Sequence, residues 1–233
     1  MQQVKSIEKS LLWDITRQCN LNCIHCYNSG GSFDINELDV AANYTEIIER
    51  LLKAKINHIH LLGGEPLMVK GLPVLLRYAH NRNMLVSINT NGTLLTNEVV
   101  KMLVELGVFQ LTISLDGATE LTNDAIRGTG TYRQVIKRLE NLMQYIQEKQ
   151  SPILVQVATV ITKQNYSTIH KLPRVLRDVG VKYLDVLKLY ECGNATDNES
   201  LLNITNEEYL NILGKLLVEC YRNHIFAQFD CKP

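Results

Sequence analysis

The chain has 233 residues, of which 45% are hydrophobic, and its 24 basic side chains balance its 24 acidic ones. This length and apolar content suffice for one sizeable globular core. The zero net charge and the absence of a basic run argue against nucleic acid as a main partner. The sequence has no run of about 18 apolar residues, which a membrane-spanning helix needs, and its first residues lack the apolar core of a secretory signal. We therefore expect a cytoplasmic protein without membrane partners, whose six cysteines are thiols.

Apolar stretches typical of strands alternate along the chain with stretches of helical periodicity. This alternation predicts parallel strands joined by right-handed crossovers. Thr96 is expected to cap the third helix. In chain order, the predicted pairs of strand and helix are 11–16 and 39–54, 58–62 and 72–81, 85–90 and 97–106, 109–115 and 132–149, 153–162 and 166–179, and 182–190 and 205–223.

These six β–α units fall short of the eight that close a full (β/α)8 barrel. The sequence therefore predicts an α/β fold, an open partial (β/α)6 TIM-like barrel, formed by residues 1–233 as a single domain. The open side of such a barrel would admit a large substrate.

Polar motifs follow each predicted strand at its C-terminal end. Folds with parallel strands place their sites at this edge of the sheet, so we expect the motifs to form one functional site. In chain order they are the cysteine-containing run 19–26, Gly63-Gly64-Glu65-Pro66, Thr90-Asn91-Gly92, Ser114-Leu115-Asp116, Asn165 and Cys192-Gly193-Asn194.

Cys19, Cys23 and Cys26 are the most informative residues of the chain. Their spacing suits three ligands of one cubane iron–sulfur cluster, because cysteine thiolates are the usual ligands of such clusters. Three ligands on four irons leave one iron open to bind a molecule. An open iron indicates chemistry rather than storage of electrons.

Other interpretations of the cysteine triplet fit less well. A redox Cys-x-x-Cys pair would leave Cys19 without a role. A structural zinc site normally needs two ligand pairs, whereas only His25 lies nearby. A disulfide is disfavoured because nothing in the sequence indicates an oxidising compartment.

The run Cys-Asn-Leu-Asn-Cys-Ile-His-Cys at 19–26, after a short strand, resembles the signature of the radical S-adenosylmethionine (SAM) superfamily. The resemblance implies a [4Fe–4S] cluster on the three cysteines, with SAM chelating the open iron through its amino and carboxylate groups. It also implies reductive cleavage of SAM to a 5′-deoxyadenosyl radical that abstracts hydrogen from a substrate. Such cleavage needs an electron donor, for which flavodoxin or ferredoxin is expected.

The run Gly63-Gly64-Glu65-Pro66 matches the second motif of that superfamily. Glycines permit close approach of the backbone, and a carboxylate at a strand end can accept a hydrogen bond from an ammonium group. The resemblance assigns Gly63, Gly64 and Glu65 to binding the amino group of SAM. The alternative is an ordinary glycine-rich turn between a strand and a helix.

Thr90 and Ser114 present hydroxyl groups at neighbouring strand ends. By resemblance they reach the carboxylate or ribose of SAM, and Asp116 accepts hydrogen bonds from the ribose hydroxyls. Asn91-Gly92 and Asp116-Gly117 are also good turn formers, so a purely structural role stays open.

Arg127 lies in the run Ala-Ile-Arg-Gly-Thr-Gly-Thr-Tyr. A guanidinium fits a carboxylate in bidentate geometry, and by resemblance Arg127 pairs with the SAM carboxylate. His25 stands where relatives usually have an aromatic residue. We expect His25 to contact the nucleoside, with ligation of the cluster as the less favoured alternative.

Residues 111–117 and the Arg127 run resemble the branch of the superfamily that contains peptide maturases, sulfatase-maturing enzymes and haem-pathway enzymes. The resemblance implies a peptide or protein substrate, with tailoring of a tetrapyrrole or another small cofactor precursor as the alternative. A non-catalytic peptide-binding module that keeps the cluster and SAM sites is a rival of another class. An electron-transfer iron–sulfur protein is disfavoured because it would prefer a fourth cysteine ligand.

Members of this branch usually carry a C-terminal, cysteine-rich domain (SPASM or twitch) that binds auxiliary clusters. We expect that domain to be absent or truncated here, with residues 225–233 as its start and Cys231 as a first ligand. Cys192 is expected at the C-terminal edge of the sheet, either as a hydrogen-atom donor to a substrate radical or as a structural thiol. Cys220 is expected to be a small buried residue.

Overall fold

The computed structural model describes residues 7, 9–29 and 40–230. Within these residues seven strands form one sheet, in which each strand pairs in parallel with its neighbours in chain order. The strands are β1 (Ser10–Thr16), β2 (His58–Gly63), β3 (Leu85–Thr90), β4 (Gln110–Ser114), β5 (Leu154–Val160), β6 (Tyr183–Leu187) and β7 (Phe226–Phe229).

Helices connect successive strands, with short 3₁₀ turns at Pro66–Met68 and Ile169–Lys171. None of the described helices combines the length and hydrophobicity needed to cross a membrane. The α-helices are α1 (Val40–Lys53), α2 (Leu72–Asn81), α3 (Asn97–Glu105), α4 (Glu120–Arg127), α5 (Thr131–Lys149), α6 (Leu172–Val179), α7 (Asn194–Asp197), α8 (Glu199–Leu202) and α9 (Asn206–Arg222).

The two faces of the sheet have different surroundings, because alternate side chains of a strand point to opposite faces. On one face, side chains such as Ile59, Leu111 and Val157 are fully buried and pack with the helices in one hydrophobic core. The opposite face, which we call the inner face, carries the first, third and fifth residues of each strand. None of these inner-face residues belongs to the hydrophobic core.

The sheet is strongly curved. In a flat sheet β1 and β6 would lie roughly 24 Å apart, at about 4.8 Å for each strand spacing. The backbone N–H of Asn194, after β6, nevertheless donates a hydrogen bond of 2.9 Å to the carbonyl of Cys26, after β1. The open, curved sheet confirms the predicted partial TIM-like α/β barrel.

Local sequence explains where several helices begin. Thr96 caps α3 as predicted, with its Oγ1 accepting a hydrogen bond from Val99 N at 3.3 Å. Thr205 caps α9 in a capping box, in which the Glu208 carboxylate accepts a hydrogen bond from the Thr205 backbone N–H. Such caps satisfy backbone N–H groups that have no partner within the helix.

The structure differs from the predicted elements in several places, among them the short helices α7 and α8 and the end of β6 at Leu187, three residues earlier than predicted. A seventh strand, β7, extends the predicted six; its four residues are exposed or half-buried, so they give no buried apolar pattern. Helix α4 is also additional; its eight residues are fewer than the window of about 11 over which helical periodicity is read. The helix predicted at 166–179 begins only at Leu172, since Pro173 has no N–H and is tolerated in the first turn but not in a helix interior.

Truncation of Leu111 tests the core that supports the sheet. Leu111 on β4 is fully buried, so Leu111→Ala should lower the free energy of unfolding by about 2–5 kcal/mol through lost burial and a residual cavity. Urea denaturation followed by circular dichroism would measure this loss.

The matched control is Leu217→Ala on α9, where the side chain is 59% exposed. Its effect should be within about 0.5 kcal/mol, as for most surface substitutions. Equal effects of the two substitutions would contradict the assignment of the core face.

Candidate functional site

The three cysteines lie in the loop that follows β1, at the C-terminal edge of the sheet. Cys23 is buried, and Cys19 and Cys26 are half-buried. The thiols are close enough to interact electrostatically, since Cys26 contributes to raising the pKa of both Cys19 and Cys23. The structure therefore brings together the residues that the sequence assigns to one cluster.

Hydrogen bonds from distant parts of the chain hold the backbone of the cysteine loop. Ile24 N donates to the carbonyl of Ile126, at the end of α4, at 3.0 Å. Asn194 Nδ2 donates to the carbonyl of Cys23 at 3.0 Å, in addition to the backbone bond to Cys26. The preceding Gly193 lies against this loop so closely that a Cβ there would be 2.5 Å from the Cys26 carbonyl oxygen. The residues after β6 thus fix the loop that carries the thiols.

N–H groups point toward two of the three thiols. Cys19 Sγ is 3.4 Å from Leu21 N and 3.8 Å from Asn91 Nδ2. Arg127 Nη1 is 4.0 Å from Cys23 Sγ. Burial raises the pKa of the Cys23 thiol to about 11, and the positive charge of Arg127 opposes this rise. Donors and a cation in these positions stabilise negatively charged sulfur ligands.

The donor set suits an iron–sulfur cluster, because it consists of three cysteines and no carboxylate. The side chains of the described residues do not form a ready-made metal site of three or more ligands. The assignment of the cluster therefore rests on the chemistry of the donors and on the hydrogen bonds that surround them.

Gly63 and Gly64, at the end of β2, lie directly against the backbone that leads into the cysteine loop. Gly64 N donates to the carbonyl of Thr16 at 2.7 Å, and Glu65 N donates to that of Gln18 at the same distance. A Cβ would be 2.2 Å from the Thr16 oxygen at Gly63 and 2.1 Å from the Gln18 oxygen at Gly64. Gly63 also has a φ of +119°, which side chains disfavour. Both glycines are therefore required for β2 to reach the cysteine loop.

The Glu65 side chain is fully buried, and both carboxylate oxygens accept hydrogen bonds from the protein. Oε1 accepts from Thr90 Oγ1 at 2.7 Å and from Leu67 N at 3.1 Å, and Oε2 accepts from Asn91 N at 2.7 Å. Burial raises the pKa of Glu65, although these hydrogen bonds oppose the rise. Glu65 thereby joins the ends of β2 and β3, and its contact with an amino group of SAM stays a prediction.

Asp116, just after β4, is a second fully buried carboxylate. Its Oδ2 accepts a hydrogen bond from Arg127 Nε at 2.6 Å and lies 2.8 Å from His25 Nε2. Its Oδ1 accepts from Val160 N at 2.7 Å. Burial alone would raise the pKa of Asp116, but Arg127 and His25 outweigh burial and hold that pKa well below its usual range. Both carboxylate oxygens of Asp116 thus already accept hydrogen bonds from the protein. The contact of Asp116 with a ribose stays a prediction.

His25 has a ring nitrogen without a partner. Nε2 donates to the ionised Asp116, since a carboxylate only accepts hydrogen bonds. Nδ1 is buried and has no hydrogen-bond partner among the described residues. The ring is thus fixed at one nitrogen and available to a ligand at the other.

The remaining predicted residues lie at the same edge of the sheet. Ser114 is half-buried at the end of β4, and the Thr90 hydroxyl is already bonded to Glu65. Cys192 is exposed in the turn before Gly193, and Cys220 is buried on α9 as predicted. Cys231 lies outside the described residues.

Asn123 is a residue of the site that sequence reasoning missed, whereas the sequence places Asn165 at this edge without an assigned partner. Asn123, fully buried in α4, accepts from Asp116 N at 3.0 Å and donates to Thr131 Oγ1 at 2.9 Å. Asn165 donates to the Asp116 carbonyl at 2.7 Å. The recurrence of asparagine after successive strands is a usable signal, but Asn123 lies in a helix that the sequence pattern does not predict.

Comparison with known proteins agrees with this geometry. A family model described as the Radical SAM superfamily matches residues 13–176. Mycofactocin maturase MftC of Mycobacterium tuberculosis (strain CDC 1551 / Oshkosh) is 31% identical over 207 residues, which cover 89% of this chain and 51% of the maturase. AdoMet-dependent heme synthase of Methanosarcina barkeri (strain Fusaro / DSM 804) is 30% identical over 227 residues, covering 96% of this chain and 62% of the synthase.

Solved structures show the same fold. SuiB of Streptococcus suis bound to S-adenosylmethionine superposes with a TM-score of 0.77 at 18% sequence identity, covering 96% of this chain and 50% of that chain. SuiB bound to precursor peptide SuiA gives a TM-score of 0.76 at 19% identity, and the match covers 94% of this chain and 48% of that chain. The chain thus spans about half the length of MftC and SuiB.

Addition of one methyl group at Gly64 tests the close contact between β2 and the cysteine loop. In Gly64→Ala the new Cβ would meet the Gln18 carbonyl at 2.1 Å, so the loop must move. We expect the protein to contain less iron and less sulfide than the original chain after anaerobic reconstitution, as measured by colorimetric assay.

Gly214→Ala on α9 is the matched control, because nothing lies within 4 Å of a Cβ there. It should retain full iron content and be stabilised by up to about 1 kcal/mol through helix propensity. Full iron content in Gly64→Ala would show that the close contact between Gly64 and the Gln18 carbonyl is not needed for cluster binding.

Replacement of Asp116 tests the buried ion pair. Asp116→Ala leaves Arg127 buried without its partner, so we expect a loss of about 3–5 kcal/mol in the free energy of unfolding. Asp178→Asn, which breaks an exposed ion pair with Arg177, should cost no more than about 1 kcal/mol.

The pH dependence of stability follows from the lowered pKa of Asp116. The stabilisation is fully present above the unfolded pKa of about 3.9 and is lost as pH falls through the lower folded pKa. Denaturation at a series of pH values measures the free energy of unfolding. Below about pH 4 this free energy should fall less in Asp116→Ala than in the original chain. The same decrease in the free energy of unfolding at acidic pH in both proteins would contradict the pairing of Asp116 with Arg127 and His25.

Proposed function

Because the chain belongs to the Radical SAM superfamily, we propose that it holds a [4Fe–4S] cluster on Cys19, Cys23 and Cys26 and cleaves SAM reductively. The observation that carries the proposal is the position of the three thiols in one loop, with the N–H groups of Asn91 and Arg127 directed at two of them. Three thiolate ligands leave one iron for the amino and carboxylate groups of SAM.

The cluster and SAM, when bound, supply a 5′-deoxyadenosyl radical that removes a hydrogen atom from the substrate. The side chains of this chain bind and orient. We assign Arg127 to the SAM carboxylate and His25, through its unpartnered Nδ1, to the nucleoside. Asp116 is a positioning residue in this proposal, because it fixes the orientation of both side chains by direct contact.

A peptide or protein is the substrate in this proposal. MftC is named a maturase, and SuiB has been solved with its precursor peptide. In the same proposal the electrons come from a flavodoxin- or ferredoxin-type donor, and the protein acts in the cytoplasm, where thiols stay reduced.

Tailoring of a tetrapyrrole is the second candidate function. The similarity to AdoMet-dependent heme synthase, which extends over 96% of the chain, supports it. A non-catalytic binding module that keeps the cluster and SAM sites would show the same contacts, and the formation of 5′-deoxyadenosine separates it from an enzyme.

The first test is the formation of 5′-deoxyadenosine. The chain would be reconstituted anaerobically with iron and sulfide, reduced with dithionite and given SAM, and the product would be quantified by mass spectrometry. We expect product from the original chain and none from Cys23→Ala, which loses a cluster ligand.

Cys220→Ala is the matched control, because its thiol is buried on α9 and lies apart from the cysteine loop. It should retain product formation. Absence of product from a fully loaded original chain would favour the binding module, and undiminished product from Cys23→Ala would refute the ligand assignment.

A further inference from the structure

The inner face of the sheet carries hydrogen-bonded polar side chains among leucines such as Leu62, Leu154 and Leu187. His60 Nε2 bonds to Asn89 Oδ1 across β2 and β3 at 2.7 Å. Gln110 Nε2 donates to Gln156 Oε1 at 2.9 Å and to Thr112 Oγ1 at 3.2 Å, which links β4 and β5. Side-chain amides offer both donors and acceptors, so such a surface can recognise the amide groups of a peptide backbone.

The charged groups of the inner face are carboxylates. Among the first, third and fifth residues of the seven strands there is no lysine or arginine. Asp14 on β1 and Asp185 on β6 are the aspartates at these positions. Burial lowers the pKa of His58 and of His60, which keeps both imidazoles neutral at pH 7. The inner face therefore presents negative charge to a ligand.

Asp185 interacts with no lysine or arginine in the described part of the chain; its favourable electrostatic neighbour is His60, whose lowered pKa leaves the imidazole neutral at pH 7. Asp185 is half-buried, and it accepts no hydrogen bond and forms no ion pair with any residue in the described part of the chain. Burial raises its pKa and the charge of Asp230 adds to this rise, so the ionised form is destabilised in the protein alone. A cation bound beside Asp185 would relieve that destabilisation.

Asp185 also lies at the level of the reaction site. Through the strand register it is aligned with Ala158 on β5 and, through Ala158, with Ser114 on β4. Two strand spacings separate Asp185 from Ser114, roughly 10 Å. A substrate side chain that contacts Asp185 would thus lie about two strand spacings from the residue assigned to SAM.

The edges of the sheet provide apolar contacts on the same face. Leu12 on β1 and Phe226 on β7, the two edge strands, are each 68% exposed. Tyr183 stacks on Phe226 with ring centroids 5.7 Å apart. An extended chain entering between these edges would meet apolar groups at the edges and side-chain amides on the central strands.

We propose that the inner face binds a peptide segment with a basic side chain directed at Asp185, and that it disfavours polycarboxylate ligands such as tetrapyrroles with propionate groups. This inference rests on the proposed radical SAM function and decides between its two substrate classes. A tetrapyrrole would bring several carboxylates to a face that has two aspartates and no cation to pair with them.

Equilibrium binding tests the inference on the full chain, reconstituted with its cluster and saturated with SAM. The probes are fluorescent peptides of equal length that differ only in a central Lys, Gln or Glu, and an iron porphyrin tetracarboxylate. We expect the Lys peptide to bind about tenfold more tightly than the Glu peptide, with the Gln peptide between them and no saturable binding of the porphyrin.

Two variants locate the effect. Asp185→Asn should remove most of the preference for the Lys peptide, and Gln156→Lys, which adds a cation to the inner face, should reverse it. Asp178→Asn, an exposed aspartate on α6, is the control and should leave all affinities unchanged.

Tighter binding of the porphyrin than of every peptide, equal affinity for the three peptides, or no saturable peptide binding would each overturn the inference. Adventitious attraction to surface acids would appear as equal losses in Asp185→Asn and Asp178→Asn, which would also overturn it. Because binding is measured without turnover, the inference can fail while 5′-deoxyadenosine still forms, and the proposed function can fail while peptides still bind.

Discussion

The geometry of the site depends on the buried carboxylate of Asp116. Burial of a carboxylate costs several kcal/mol unless cations and N–H groups surround it, and here Arg127, His25 and the backbone N–H of Val160 do so. These three partners belong to α4, the cysteine loop and β5, none of which is adjacent to the others in sequence. The requirement to satisfy one charge therefore fixes the relative positions of three segments, and Arg127 is held with its remaining N–H groups toward Cys23.

Glu65 has the equivalent role on the other side of the cysteine loop. Its oxygens bind the hydroxyl of Thr90 and the backbone of Asn91, and its own N–H reaches the carbonyl of Gln18. The Asn91 side chain continues the network to Asn20 at 2.8 Å. Two buried carboxylates thus hold the loop from both sides by hydrogen bonds within the protein. A site whose polar groups are fixed in this way is pre-organised for its ligand.

Local patterns in the sequence predict the fold class, most strand positions and the clustering of motifs at one edge of the sheet, because parallel pairing follows from alternation of strands and helices alone. They do not predict β7, whose four residues show no buried pattern, or the partners of Asp116. Those partners come from positions 25, 127 and 160, and only the curvature of the sheet brings them together. A resemblance assigns such a carboxylate to a ligand; the structure shows that protein donors already occupy both of its oxygens.

The contacts of Asn194 have a consequence for the order of assembly. Asn194 bonds to the carbonyls of Cys23 and Cys26, and 171 residues separate it from Cys23. Within this sequence the cysteines are translated before the segment after β6, yet the loop that carries them is completed only when that segment has been made and the sheet has curved. A contact of such long sequence separation requires the closure entropy to be overcome before the contact stabilises the fold. Delivery of iron and sulfide to an ordered loop therefore follows synthesis of the segment after β6, and earlier delivery would meet three thiols on a loop without these contacts.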